Sequence, residues 1–151
     1  MPGVKELNLE EIVRGLRSEE ARKTFEENGV LAAYLFGSMV DRQTHAESDV
    51  DVAIVFECGM PESEYFDRRL AVIGELMDLL HVNDVDVVPL NNAPLLLAFQ
   101  ALRHPVRVFS ADERRRAEFE VKTIGMYYDF KPVLDEYGRQ MFQRIKERGL
   151  G

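Results

Sequence analysis

Two aspartates, Asp49 and Asp51, stand two positions apart where an apolar run begins, and their carboxylates could bind a metal ion. The run from Val50 to Glu57 is short, mostly apolar and rich in β-branched residues, which predicts a strand. Side chains alternate across a strand, so residues i and i+2 point to one face. Adjacent carboxylates repel unless a cation lies between them, and oxygen ligands favour Mg²⁺ or Mn²⁺. The pair predicts a divalent metal site, and the alternative is a solvated strand end.

A glycine–serine pair, Gly37 and Ser38, is separated from Asp49 by ten residues and follows a predicted strand over Val30–Phe36. A short helix is expected over about 38–42. Free N–H groups at a helix N-terminus bind anions, and glycine lets a phosphate approach the backbone closely. The hydroxyl of Ser38 can donate to a phosphate oxygen. The pair predicts a phosphate-binding turn, although alone it would equally suit a turn with a serine N-cap.

A third carboxylate, Asp86, lies in a predicted strand over Val85–Pro89. A charge inside a buried strand is costly unless it is paired or ligates a metal. Asp86 suits a metal-binding role better than Asp84, which precedes the apolar run. A structural charge at a sheet edge is the alternative.

Helical patterns surround these strands and must position them. Asn8 and Ser18 are expected to cap the first two helices, and Asp112 to cap the last. The predicted helices and the remaining strand are Leu9–Arg17, Glu19–Glu27, about Ser63–Leu80, Leu95–Leu102, a strand over Val106–Phe109 and a helical tail over about 111–148.

The helical tail is longer than a small sheet can cover. Pro132 is expected to kink or restart the helix. Its second apolar stripe is rich in tyrosine, phenylalanine and methionine, residue types that recur in protein interfaces. Residues Tyr127 to Ile145 are therefore predicted to contact a partner protein or a second copy of the chain, and the alternative is packing in the chain's own core.

Length and composition predict one domain over residues 1–151, with a core over about 30–110 and the tail over about 111–148. The net charge of −8 argues against direct binding of nucleic acid through the general surface. A single cysteine, Cys58, excludes an intrachain disulfide. No stretch has the pattern of a signal peptide or a membrane span, so we expect a cytoplasmic protein that does not bind a membrane.

The Gly-Ser pair, ten residues and Asp-x-Asp together resemble the signature of the nucleotidyltransferase superfamily related to DNA polymerase beta. The matching core runs from about Val30 to Phe109. The small size and the tail segment YYDFKPVLDEY resemble the minimal nucleotidyltransferases, the MNT-type antitoxins of HEPN/MNT toxin–antitoxin systems. The resemblance implies an α/β (α+β) fold, with a small mixed β-sheet flanked by helices and a C-terminal helical tail.

The resemblance also implies an activity, the transfer of AMP from ATP to a tyrosine hydroxyl of a HEPN-type ribonuclease toxin. Asp49, Asp51 and Asp86 would hold two Mg²⁺ ions, and Asp86 could also accept the proton of the attacking hydroxyl. Gly37 and Ser38 would bind the phosphates of ATP.

One pair of residues departs from the family pattern. Asp41 and Arg42 stand where an arginine and a glycine are usual, and we expect Arg42 to supply the missing positive charge from one position further on. Two other functions stay open: an antitoxin that neutralises its toxin by binding alone, and a nucleotidyltransferase that modifies small molecules. The three aspartates favour catalysis over the first, and the lack of an acceptor-binding domain disfavours the second.

Overall fold

The computed structural model describes residues 8–37 and 50–148. Two helices are followed by two strands, after which helices and strands alternate, and a short 3₁₀ turn over Glu62–Glu64 precedes the third helix. The elements are α1 (Leu9–Leu16), α2 (Glu19–Glu27), β1 (Val30–Phe36), β2 (Val50–Phe56), α3 (Tyr65–Leu80), β3 (Val85–Pro89), α4 (Leu95–Arg103), β4 (Val106–Ser110) and α5 (Glu113–Glu147).

The described strands form a four-stranded sheet in the order β3-β2-β1-β4. Strand β1 runs antiparallel to β2 and to β4, whereas β2 and β3 are parallel. The predicted mixed sheet flanked by helices is therefore confirmed.

Both faces of the sheet are covered, which is why β1 and β2 are almost continuously apolar. Along β2, Val52 and Ile54 face a core formed with α1, α2 and α3, while Ala53 and Val55 face a second core formed with α4. The stacked rings of Phe99 on α4 and Tyr127 on α5, 3.7 Å apart, join these two helices.

The predicted N-caps are all present. The side-chain oxygens of Asn8, Ser18 and Asp112 accept hydrogen bonds from backbone N–H groups three residues further on, at 2.9, 3.2 and 3.0 Å. These contacts satisfy donors that the first turn of a helix leaves unpaired.

Helix α5 is continuous from Glu113 to Glu147 with Pro132 inside it, so of the two expected effects of Pro132, a kink or a restart, the restart does not occur. Proline removes one hydrogen bond to the carbonyl four residues earlier, here that of Tyr128. Since Tyr128 lies in an exposed part of α5, water can hydrate this carbonyl at low cost.

The two halves of α5 differ in burial. Glu120 and Thr123 are buried, whereas every residue from 128 to 148 except Leu134 is exposed. The exposed half is about 30 Å long, at about 1.5 Å per residue.

Within the part of the chain that is described, no helix is long and apolar enough to cross a membrane.

Candidate active site

Asp51 on β2 and Asp86 on β3 are neighbours across the sheet. The register of the parallel pair places Asp51 opposite Asp86 and Val52 opposite Val87. Paired residues of adjacent strands share a face, and their strands lie about 4.8 Å apart. Both valines are buried in the core with α3, so both carboxylates lie on the opposite face, the one that α4 covers further along the strands. The structure thus brings together two predicted site residues that are 35 positions apart in the sequence.

Gly37 closes β1 directly beside Asp51. Its φ of +88° lies in the left-handed region that favours glycine. A Cβ atom added at Gly37 would lie 2.6 Å from Oδ2 of Asp51, so close that the carboxylate would have to move. The absence of a side chain therefore lets this turn approach the carboxylate, a contact that the sequence did not indicate.

Asp86 is paired with an arginine from α3. The Nη2 atom of Arg69 donates to Oδ1 of Asp86 at 2.9 Å, and its Nε donates to the carbonyl of Val87 at 2.5 Å. The side chain of Asp86 is 51% exposed because β3 is an edge strand, so the expectation of a charge within a buried strand is wrong. Sequence reasoning missed Arg69, since no local pattern links a residue of α3 to a strand 17 positions later.

A cavity of about 320 Å³ opens beside Gly37, and sequence reasoning missed its lining from α4. It is lined by Phe36, Gly37, Gln100, Arg103 and His104. Arg103 and His104 follow the last apolar positions of α4, and the sequence pattern there indicated only the end of a helix. The cavity extends the site from the carboxylates past the end of β1.

The other predicted site residues, Ser38, Arg42 and Asp49, lie outside the described residues, as does the short helix expected over about 38–42. Within residues 8–37 and 50–148, no three histidine, cysteine or acidic side chains are grouped closely enough to hold a metal ion. The neighbouring carboxylates of Asp51 and Asp86 are nevertheless a pair of hard oxygen ligands, which suits Mg²⁺ or Mn²⁺.

A family model described as polymerase beta, nucleotidyltransferase matches residues 19–114, which include β1, β2, β3 and α4. The chain belongs to this nucleotidyltransferase family. The match covers the cavity and both carboxylates. No curated protein is similar enough to the chain to count as a match.

Solved structures of toxin–antitoxin complexes contain chains with a similar fold. One, a complex with AMP-PNP, has 25% identity and a TM-score of 0.58, and the match covers 80% of this nucleotidyltransferase and 98% of that chain. A second, the toxin–antitoxin MntA-HepT, has 23% identity and a TM-score of 0.56, with 81% and 97% covered.

A third structure is a tri-AMPylated HEPN toxin from Shewanella oneidensis in complex with MNT antitoxin. It has 23% identity and a TM-score of 0.56, and the match covers 81% of this chain and 96% of that one. The resemblance to MNT-type antitoxins is confirmed at the level of family and fold.

Proposed function

We propose that this nucleotidyltransferase is an antitoxin that transfers AMP from ATP to a tyrosine hydroxyl of a HEPN-type ribonuclease toxin. The pairing of Asp51 with Asp86, next to the turn at Gly37, carries this proposal. Support also comes from two structures of similar fold, of which one contains AMP-PNP and the other an AMPylated HEPN toxin.

In the proposed reaction, the hydroxyl oxygen of the acceptor forms a bond to the α-phosphorus of ATP. The bond from that phosphorus to the oxygen bridging to the β-phosphate breaks, and pyrophosphate leaves with the electron pair. The half-exposed carboxylate of Asp86 accepts the hydroxyl proton and later passes it to water. The hydrogen bond from Arg69 holds this carboxylate in position.

The site residues would also bind the metal ions and the nucleotide. Asp49, Asp51 and Asp86 would hold two Mg²⁺ ions, or Mn²⁺ in their place. These ions, when bound, would neutralise charge on the attacking and leaving oxygens. Gly37, Ser38 and Arg42 would bind the phosphates of ATP.

We propose that the protein partner binds to the exposed half of α5. Phe130, Leu134, Tyr137 and Met141 recur at alternating spacings of four and three, which places them on one side of the helix. Such a stripe suits insertion into an apolar groove of another protein. The chain's own body leaves this stripe largely uncovered, which supports a partner, here the HEPN-type toxin.

A tail variant tests this surface. Replacing Tyr137 and Met141 with serine should weaken toxin binding, measured by calorimetry, and leave the melting temperature of the isolated protein unchanged, because both side chains are exposed. The matched control is Gln143→Ala on the same helix. Unchanged toxin affinity would refute the assignment of this surface to the toxin. If the wild type and the control were dimers and the double variant a monomer, the stripe would instead bind a second copy of the chain.

The test of the activity is mass measurement of the toxin after incubation with ATP, Mg²⁺ and the nucleotidyltransferase. We expect mass increases of one or more AMP units with the wild type and none with Asp51→Asn. Asp78→Asn, an exposed change on α3, should behave as wild type. A tight complex that leaves the mass of the toxin unchanged would instead support neutralisation by binding alone.

A further inference from the structure

The cavity beside Gly37 is lined by a positively charged side chain that has no role in the reaction proposed above. Arg103, at the end of α4, lines the cavity together with Gln100 and His104. From these side chains we infer that the cavity binds the β- and γ-phosphates of the nucleotide, and that Arg103 is the residue that contacts the leaving pyrophosphate. The inference rests on the proposed function and adds a substrate-binding residue to it.

The charge environment of Arg103 supports an anionic ligand. Nine of the thirteen arginines in residues 8–37 and 50–148 form an ion pair with a carboxylate, for example Arg69 with Asp86 and Arg107 with Glu120. No ion pair or hydrogen bond is recorded for Arg103 in the part of the chain that the structure describes. Its guanidinium is therefore available to bind phosphate oxygens in the two-pronged geometry that arginine favours.

The order of the strands tells which phosphates the cavity would receive. Across the sheet, Asp86 lies on β3, Asp51 on β2 and Gly37 at the end of β1. Arg103 follows on the far side of Gly37, three residues before β4, whose first residue pairs with Leu35 of β1. If the acceptor hydroxyl is at Asp86 and the α-phosphate is at Asp51, the pyrophosphate extends past Gly37 toward Arg103.

The lining also has the polarity that a phosphate chain requires. Gln100 and His104 add N–H donors beside the charge of Arg103, and Phe36 is the one large apolar side chain among the described lining residues. A volume of about 320 Å³ is at the small end of ligand pockets, which suits two phosphates better than a whole nucleotide. An arginine at this place would stabilise the negative charge that develops on the leaving group.

The test is calorimetric binding of three ligands with Mg²⁺: AMP-PNP, pyrophosphate and AMP. Arg103→Ala should weaken AMP-PNP and pyrophosphate by roughly 10- to 100-fold, as expected for the loss of a charge-assisted contact. It should leave AMP affinity unchanged, because AMP lacks the leaving phosphates. The affinities of Arg103→Lys for AMP-PNP and pyrophosphate should lie between those of the wild type and Arg103→Ala, since lysine keeps the charge without the planar fork.

The matched control is Arg14→Ala, an exposed arginine on α1, which should bind all three ligands as wild type does. Equal weakening of AMP and AMP-PNP, or unchanged binding of both, would overturn the role of Arg103 and leave the proposed function intact. A folded wild type that binds no AMP-PNP would refute the proposed function, and the assignment of Arg103 with it.

Discussion

Glu120 and Asp86 are both carboxylates paired with arginine at the sheet, but their surroundings differ in burial and in the number of donors. The Glu120 side chain is 11% exposed. It accepts hydrogen bonds from the hydroxyl of Tyr34 at 2.7 Å, from Arg107 at 2.8 and 3.2 Å, and from Arg116 at 2.7 Å. Asp86 is half exposed, and within the described residues its recorded side-chain partner is Arg69.

The donors around Glu120 decide its charge. Burial disfavours the ionised form, but the hydrogen bonds from Arg107, Tyr34 and Arg116 outweigh this effect and lower the pKa of Glu120 to about 2. Burial, together with the hydrogen bond to Glu120, raises the pKa of Tyr34 far above its ordinary value. Glu120 thus joins α5 to β1 and β4 as a permanently charged structural group.

The comparison shows which carboxylate can do chemistry. The oxygens of Glu120 already accept several hydrogen bonds and are shielded from solvent, so they cannot take a ligand without losing these contacts. Asp86 keeps accessible oxygen surface beside Asp51, which a metal ion or a proton could reach. A carboxylate that is only partly satisfied, next to a second one, is therefore the better candidate for function.

The largest expected effect is that of Asp86→Asn, which distinguishes a catalytic carboxylate from a structural one. Asp86→Asn should lower the rate of AMP transfer by about 10²- to 10⁴-fold, because the amide is a poor metal ligand and proton acceptor. The free energy of unfolding should change by less than about 1 kcal/mol, since the pair with Arg69 is exposed to solvent. Transfer rates and urea unfolding measure the two quantities.

The matched control is Asp84→Asn, an exposed aspartate two residues earlier. It should transfer AMP at the wild-type rate. If Asp84→Asn and Asp86→Asn were equally slow, or if both were active, Asp86 would have no special role.

A smaller effect on transfer is expected from Gly37→Ala. Its Cβ would displace the carboxylate of Asp51, and we expect a loss of roughly 10- to 100-fold in the transfer rate. Gly59→Ala is the control, because Gly59 has a φ of +99° and no atom within 4 Å of an added Cβ. Both variants carry backbone strain, so equal losses of activity would show that strain alone is responsible.

The smallest effect concerns the pH dependence of stability through Glu120. Its pKa is about 2 in the folded protein against an ordinary 4.5, so its stabilising contribution is present above pH 4.5 and is lost as the pH falls through 2. Between pH 6 and pH 3, the wild type should lose about 2 kcal/mol more of its free energy of unfolding than Glu120→Gln. Urea unfolding at both pH values measures this difference.

The control for this measurement is Glu118→Gln, whose exposed pair with Arg114 has little effect on stability. It should follow the wild-type pH dependence. A parallel loss of stability in wild type and Glu120→Gln would contradict the structural role of this carboxylate.

Much of the local structure follows from short stretches of sequence. Periodicity and capping residues predict β1 and β3 with their observed bounds, and place the ends of the other described elements within about two residues. Hydrogen bonds within a turn and the alternation of side chains along a strand depend only on near neighbours, so such patterns are visible without a fold. The candidate residues Gly37, Asp51 and Asp86 were found in this way.

Other features depend on contacts between distant parts of the chain. The alignment of Asp51 with Asp86 depends on strand order and register, and the roles of Arg69 and Glu120 depend on which helices cover the sheet. An apolar stripe does not show whether its own chain or another protein will cover it. The length of the tail already indicates that a small sheet cannot cover all of it. Only the tertiary structure shows that the uncovered part is the half of α5 from residue 128 onwards, because burial is decided by what packs against a surface.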